Sequence, residues 1–344
     1  MTAGMRAALA AAAVAGSLAV AGSALAANTA TIAVSTAGTA TTVHISVPQA
    51  TDPIAAITIY VPTGYTMNLS AAANTGIGTE VATAFAHDAG LTLPLTGTVT
   101  TANPVAPATD ACYPGTHGAI WYQNLSVAGQ SLIVPIYVDP TAGAATALGA
   151  YQMLICLPPW DVPAGTPGRS FDGAQLLDAK FTVNGIFTAP TSGLAVWHTL
   201  FTPYTPGTGK PNLVGTFEAR ALAGAPSLTL KAAKKKTGYV VTGKLSEGGL
   251  PVSGTTVVVK RGASTAKLAK AGSATTGATG AWSVSGKLAG KKAVYFKASA
   301  TVGERDATAT GCAQPLPATV APAGCASATL SAWTVSSPAA KLKP

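Results

Sequence analysis

Cys112 lies two residues after Asp110 and five before His117, in the run DACYPGTH. A thiol beside an imidazole and a carboxylate could be activated as a nucleophile, because a nearby imidazole lowers the thiol pKa. The other cysteines argue for a different chemistry. Cys112, Cys156, Cys312 and Cys325 all follow a leader of secretory type, and an even set in an oxidising compartment is first a disulfide framework. Four thiols allow three pairings. Cys312 and Cys325 are near enough in sequence to close a local loop, which leaves Cys112 with Cys156. No C-x-x-C spacing supports zinc. The other histidines, His44, His87 and His198, form no H-E-x-x-H or H-x-H pattern, so metal catalysis has no motif behind it. G-x-S-x-G, Walker and G-x-G-x-x-G patterns are also missing. The nine carboxylates of residues 28–224 could supply a glycosidase pair, yet spacing singles out no two of them. The expectation is a non-enzymatic chain with no cofactor and no metal.

Two residue sets could instead bind. Lys231, Lys234, Lys235, Lys236, Lys260, Arg261, Lys291 and Lys292 form a strongly positive series, with Lys267, Lys270 and Lys287 nearby. Aromatic residues that would stack on bases are sparse among them, which argues against nucleic acid. For an exported protein the matching polyanions are envelope polymers such as teichoic acids or acidic polysaccharides. The competing role for these lysines is solubility. The second set is aromatic: Trp121, Tyr122, Trp160, Trp197 and Tyr204 could stack on sugar rings. Trp121 and Trp197 sit in alternating strands and read as core. Trp160, in the loop LPPWDVPAG, is the candidate platform.

The elements that position these residues begin after a leader. Residues 1–26 combine Arg6, an apolar run at 7–21 and Ala24-Leu25-Ala26, the pattern of a cleaved signal peptide. The mature chain is then expected to begin at Ala27 or Asn28, with no membrane span. Only 10% of the residues are charged and 48% are apolar, which excludes a disordered chain. Charge divides the rest. Residues 28–224 hold nine acids and four bases, a net of −5, whereas residues 225–344 hold sixteen bases and three acids, a net of +13. The switch at ALAGAP (221–226) predicts an acidic domain at 28–224 and a basic one at 225–344. Both halves alternate apolar and polar residues between Gly/Pro turns, as in TTVHISV (41–47), SLIVPIYV (131–138) and GYVVTGKL (238–245). That pattern predicts an all-β protein of two β-sandwich domains. Only TEVATAFAH (79–87) reads as a short helix.

Within the basic half, Val241 to Gly243, Leu250-Pro251-Val252 with Gly254, Val257 to Val259, Thr275-Thr276 with Gly280 and Trp282, and Leu288 with Gly290 follow one another in order. Residues 227–300 thereby resemble bacterial immunoglobulin-like and carboxypeptidase-regulatory-like (transthyretin-like) modules. The resemblance implies an immunoglobulin-like second domain and no reaction. The turn TTGATG lacks the acid that would hold calcium. Together these features point to an exported structural or adhesive protein of the cell envelope. Its basic module would contact anionic polymer, and its sandwich edges and loops would meet a protein or polysaccharide partner. The alternative is a carbohydrate-binding protein with its site in the first domain, and the third reading is an extracellular hydrolase.

Overall fold

A computed structural model describes residues 29–127, 129–288, 292–308 and 327–343. The expected leader at residues 1–26, Cys312, Cys325 and Lys291 lie outside the described residues. The described chain is almost entirely β, as its alternation predicts. No helix among the described residues is long and apolar enough to cross a membrane.

The first half contributes β1 (Thr31–Ala37), β2 (Ala40–Ser46), β3 (Ile54–Val61), β4 (Gly76–Ala86), β5 (Leu91–Thr101) and β6 (Ala119–Val127). It continues with β7 (Gln130–Pro140), β8 (Tyr151–Cys156), β9 (Ala174–Asn184), β10 (Ala195–Thr205) and β11 (Phe217–Ala223). These eleven strands pair in one continuous antiparallel series, in the order β1-β2-β9-β4-β5-β6-β7-β8-β3-β10-β11. The two ends of the series, β1 and β11, come to lie against each other, so the sheet curls round a single interior core. Sharp curvature needs residues without a Cβ. A Cβ on Gly78 would sit 2.0 Å from Thr182 O, and one on Gly97 would sit 2.0 Å from Asn124 O. The segment expected as a helix is β4, a central strand. Pairing on both sides, with β9 and β5, overrides the helix propensity of its alanines, as tertiary context commonly does.

The interior is filled unevenly. At one end Tyr65, Trp121, Phe187 and Trp197 meet edge to face, with ring centroids 5.0 to 6.2 Å apart. At the other end Ala82, Ala84, Ala174 and Ala179 face inward where the rest of the core carries Ile, Val and Phe.

The second half has its own core around Tyr239, Val257, Val259, Trp282, Phe296 and Trp333. Its strands are β12 (Pro226–Leu228), β13 (Lys231–Lys235), β14 (Gly238–Glu247), β15 (Thr256–Ser264), β16 (Lys267–Thr275), β17 (Ala281–Lys287) and β18 (Val294–Val302). Then come β19 (Arg305–Thr308), β20 (Ser327–Leu330), β21 (Trp333–Ser336) and β22 (Ala340–Leu342). One sheet has β12 and β13 on one side of β14 and β17 on the other. The facing sheet runs β16-β15-β18, with β21 and β22 along the far edge of β18.

The hairpin β19–β20 belongs to neither of these sheets. β20 runs parallel to β11, with Leu222 opposite Leu330, and also lies against β1. Sequence from the basic half therefore covers the seam of the acidic half's sheet. The two halves meet without a linker: Gly193 N donates to Gly248 O (2.7 Å), while within the second half Gly248 N donates to Ala225 O (2.9 Å). A Cβ on Gly248 would lie 2.0 Å from Gly193 O. Beside this contact Arg305 pairs with the buried Glu247, whose carboxyl is pushed up by burial.

Candidate functional site

The alanine-lined end of the curled sheet encloses a cavity of about 170 Å³. Its walls follow from strand register. Ile45, Ala179, Ala82 and Leu95 stand side by side across four adjacent strands. One step along, Phe181, Glu80 and Gly97 form the next row. Glu80 is 3% exposed, and it is the one titratable group among the residues lining the cavity. Gln123 Nε2 donates to Glu80 Oε1 at 3.1 Å. Glu80 Oε2 has no hydrogen-bond partner among the described residues. Removal from water disfavours the charged carboxylate, and burial pushes Glu80 up to about 8.

The loop 157–173, between β8 and β9, closes this end. Leu157, Pro158, Trp160, Ser170 and Phe171 from it line the cavity. Phe171 and Leu132, both lining residues, are exposed at the rim. Two side-chain contacts, beside the backbone bonds from His87 N to Gly173 O and from Asp88 N to Asp172 O, hold the loop to the end of β4. His87 stacks on Trp160 with ring centroids 3.7 Å apart, and Arg169 donates through both terminal nitrogens to the two oxygens of Asp88, each at 2.7 Å. Hydrogen bonding from this guanidinium holds Asp88 below the usual carboxylate range. Trp160 Nε1 and Ser170 Oγ are buried and, among the described residues, unpartnered.

Trp160, the sugar-platform candidate, thus lines a cavity mouth. It is half-buried, and His87 covers one ring face. Trp121 and Trp197 are fully buried. Tyr204 is buried with its hydroxyl donating to Leu157 O at 2.8 Å, whereas Tyr122 is exposed.

The DACYPGTH constellation is structural. Cys112 is disulfide-bonded to Cys156, which ties the 102–118 flap to the end of β8. Asp110 Oδ1 accepts from the backbone N–H groups of Cys112 and Tyr113 (2.9 Å each), and Oδ2 accepts from the Tyr137 hydroxyl at 2.7 Å. Burial pushes Asp110 up, but these bonds outweigh it and leave the carboxyl below its ordinary value. His117 turns to Asp139 instead, at 2.8 Å. The remaining histidines are paired in the same way, His44 with Asp178 at 2.6 Å and His198 with Glu218 at 2.5 Å. Among the described residues no three His, Cys, Asp or Glu side chains converge as a metal site would require.

On the second half, Lys231, Lys234, Lys235, Lys236, Lys260 and Lys292 are exposed. Arg261 is half-buried, with its guanidinium 5.5 Å above the Tyr239 ring and Nη1 donating to Lys287 O at 2.8 Å. The positive residues therefore divide between the outer faces of two sheets. On one, Lys260 stands directly opposite Lys270 and Lys297 on its two neighbours. On the other, Lys235 and Lys287 flank Gly238 from either side.

The sequence expectations did not include Glu80 and Gln123. In GIGTEVATAFA the large apolar residues Val81 and Phe85 alternate with Glu80, Ala82 and Ala84, which would place the acid outside. The structure does the reverse, leaving Val81 51% exposed. The usable signal is that small residues accompany the acid on its face. No protein-family model matches this chain, and no curated protein matches it.

Proposed function

We propose that this is an exported, non-enzymatic protein of the cell envelope whose basic half holds it against anionic polymer. The observation that carries this reading is the row Lys270-Lys260-Lys297 across β16, β15 and β18. Like charges directly opposite one another in a sheet are destabilising. A row of three is retained at a cost that an anionic partner offsets. No acid lies in any strand from β15 to β18, so the field of this row is not neutralised within its own sheet. A shallow groove where the other sheet meets the end of β16 adds Lys231 and Lys244 around Gly243 and Trp282. The two-sheet layout of this half, three strand positions facing four, supports the immunoglobulin-like reading. The leader and the Cys112–Cys156 disulfide support an oxidising compartment. The inward packing of Trp121, Trp197 and Trp160 favours polyanion over neutral sugar as the partner.

The test is co-sedimentation of the full mature chain with isolated envelope polymer over a salt series, beside the variant Lys260→Gln/Lys270→Gln/Lys297→Gln. The expected result is binding at 50 mM salt that is released by about 0.5 M, as the Debye length contracts to several Å, and that the triple variant loses. Binding that survives both would overturn the reading and favour a salt-insensitive carbohydrate contact.

A further inference from the structure

The cavity of the first half is not used by the polymer contact, and its chemistry differs from that of the lysine face. We propose that it binds a small apolar molecule bearing one hydrogen-bond acceptor, a ketone, aldehyde or ester, with Glu80 donating to that acceptor.

Size comes first. An engineered protein cavity of roughly 150 Å³ takes up benzene, so a cavity of about 170 Å³ suits a ligand of about six to ten heavy atoms. Polarity comes next. Apart from Glu80, Gln123, Trp160, Ser170 and Gln175, every lining residue is Ala, Val, Ile, Leu, Pro or Phe. A sugar would leave most of its hydroxyls unpaired against such walls, which is costly. An anionic ligand would meet no cation, since no Lys, Arg or His lines the cavity.

The position of the acceptor follows from one hydrogen bond. Gln123 donates to Glu80 Oε1, so the neutral carboxyl carries its proton on Oε2, the oxygen without a partner among the described residues. Burial pushes Glu80 up to about 8, so at neutral pH this oxygen is an O–H donor in an apolar wall. A ligand carbonyl supplies the partner it needs. Two more buried polar atoms of the same wall, Trp160 Nε1 and Ser170 Oγ, are likewise unpartnered among the described residues, and both belong to the loop that closes the mouth.

Acetophenone and ethylbenzene test the proposal, because they differ at the carbonyl and little in shape. Each is titrated into the full mature chain at pH 6 and pH 9.5 and followed by calorimetry and ligand-observed NMR. Acetophenone should bind saturably one to one at pH 6, about tenfold more tightly than ethylbenzene, one charge-free hydrogen bond being worth about that factor. At pH 9.5 its affinity should fall by about tenfold or more as Glu80 ionises, with ethylbenzene much less affected. Glu80→Gln, which keeps a neutral donor, should bind acetophenone equally at both pH values. Ala82→Leu, which fills the cavity, should abolish binding. No saturable binding at pH 6, equal binding of the two compounds, or binding unchanged by Ala82→Leu would each overturn the proposal. If Glu80→Gln does not fold, the contrast between the two compounds and two pH values in the wild-type chain still decides. The lysine face lies in the other half, so this outcome is independent of the polymer assay.

Discussion

In the first half, the residues able to do chemistry point inward. Glu80, Gln123 and Ser170 are buried within one curled sheet, and the charged groups near its mouth are spent on structure, as in Arg169 with Asp88. In the second half the polar chemistry points outward, with Lys260, Lys270 and Lys297 aligned on an exposed face over an ordinary apolar core. Both halves are built from the same period-2 alternation. The difference lies in how the sheet is closed. A continuous sheet that curls has an inside whose volume depends on side-chain size, so four inward alanines leave room. In the second half two facing sheets enclose a core that includes Tyr239, Trp282, Phe296 and Trp333, and the lysine row stands on an outer face.

The two halves should differ most in their response to pH. Glu80 has its ordinary value near 4.5 in the unfolded chain and about 8 in the folded one. Because the folded value is raised, the native state holds the proton more tightly. Stability is therefore full below about pH 4.5 and is lost as pH rises towards 8. The full difference corresponds to roughly 5 kcal/mol. Urea denaturation at pH 5 and pH 9 should show this loss in the wild-type chain and not in Glu80→Gln. A wild-type profile as flat as the variant's would mean that Glu80 is not held in an apolar interior.

Next in size are the two ends of the first half's interior. Trp197→Ala, in the aromatic end, should cost about 3–5 kcal/mol, read as a fall in the denaturation midpoint. Ala82→Val, at the other end, should cost under about 1 kcal/mol, because there is space to accept it. A large penalty for Ala82→Val would show the alanine end to be as tightly packed as the aromatic one. Replacing both Cys112 and Cys156 by Ser should cost about 2–5 kcal/mol and should loosen the first half preferentially, as hydrogen exchange would show in β6, β7 and β8. The smallest effect belongs to the second half: Lys260→Gln should change stability by under about 0.5 kcal/mol, in the stabilising direction, since it relieves two like-charge neighbours. A marked loss there would mean that the lysine packs structurally.

Much of the fold was legible because alternation is a local signal. The strands at 41–47, 131–138 and 238–245 announce themselves, and the Cys112–Cys156 pairing followed from the spacing of the four cysteines and the expected compartment. β4 was not legible, since TEVATAFA satisfies a helix about as well as a strand, and only its neighbours β9 and β5 decide the matter. The inward turn of Glu80 was hidden for a related reason. Its face is fixed by register with Phe181 and Gly97, residues about 100 and 17 positions away, and its only local trace is the small size of Ala82 and Ala84 on the same face. The lysine set was visible by composition, but the alignment of Lys260 with Lys270 and Lys297 required the pairing itself.

The hairpin β19–β20 gives the molecule an order of assembly. As the chain emerges amino terminus first, β1 to β11 are complete by residue 223, yet the strand that pairs along β11 arrives only at residues 327–330. Until then β11 is an open edge, the feature by which β-proteins recruit the wrong partner, and Leu222 lacks Leu330 as its cover. A pairing across so long a separation is also slow to form. Nascent or truncated chains ending between 224 and 326 should therefore be the ones most in need of a chaperone, and β20 acts as a late latch that retires that need.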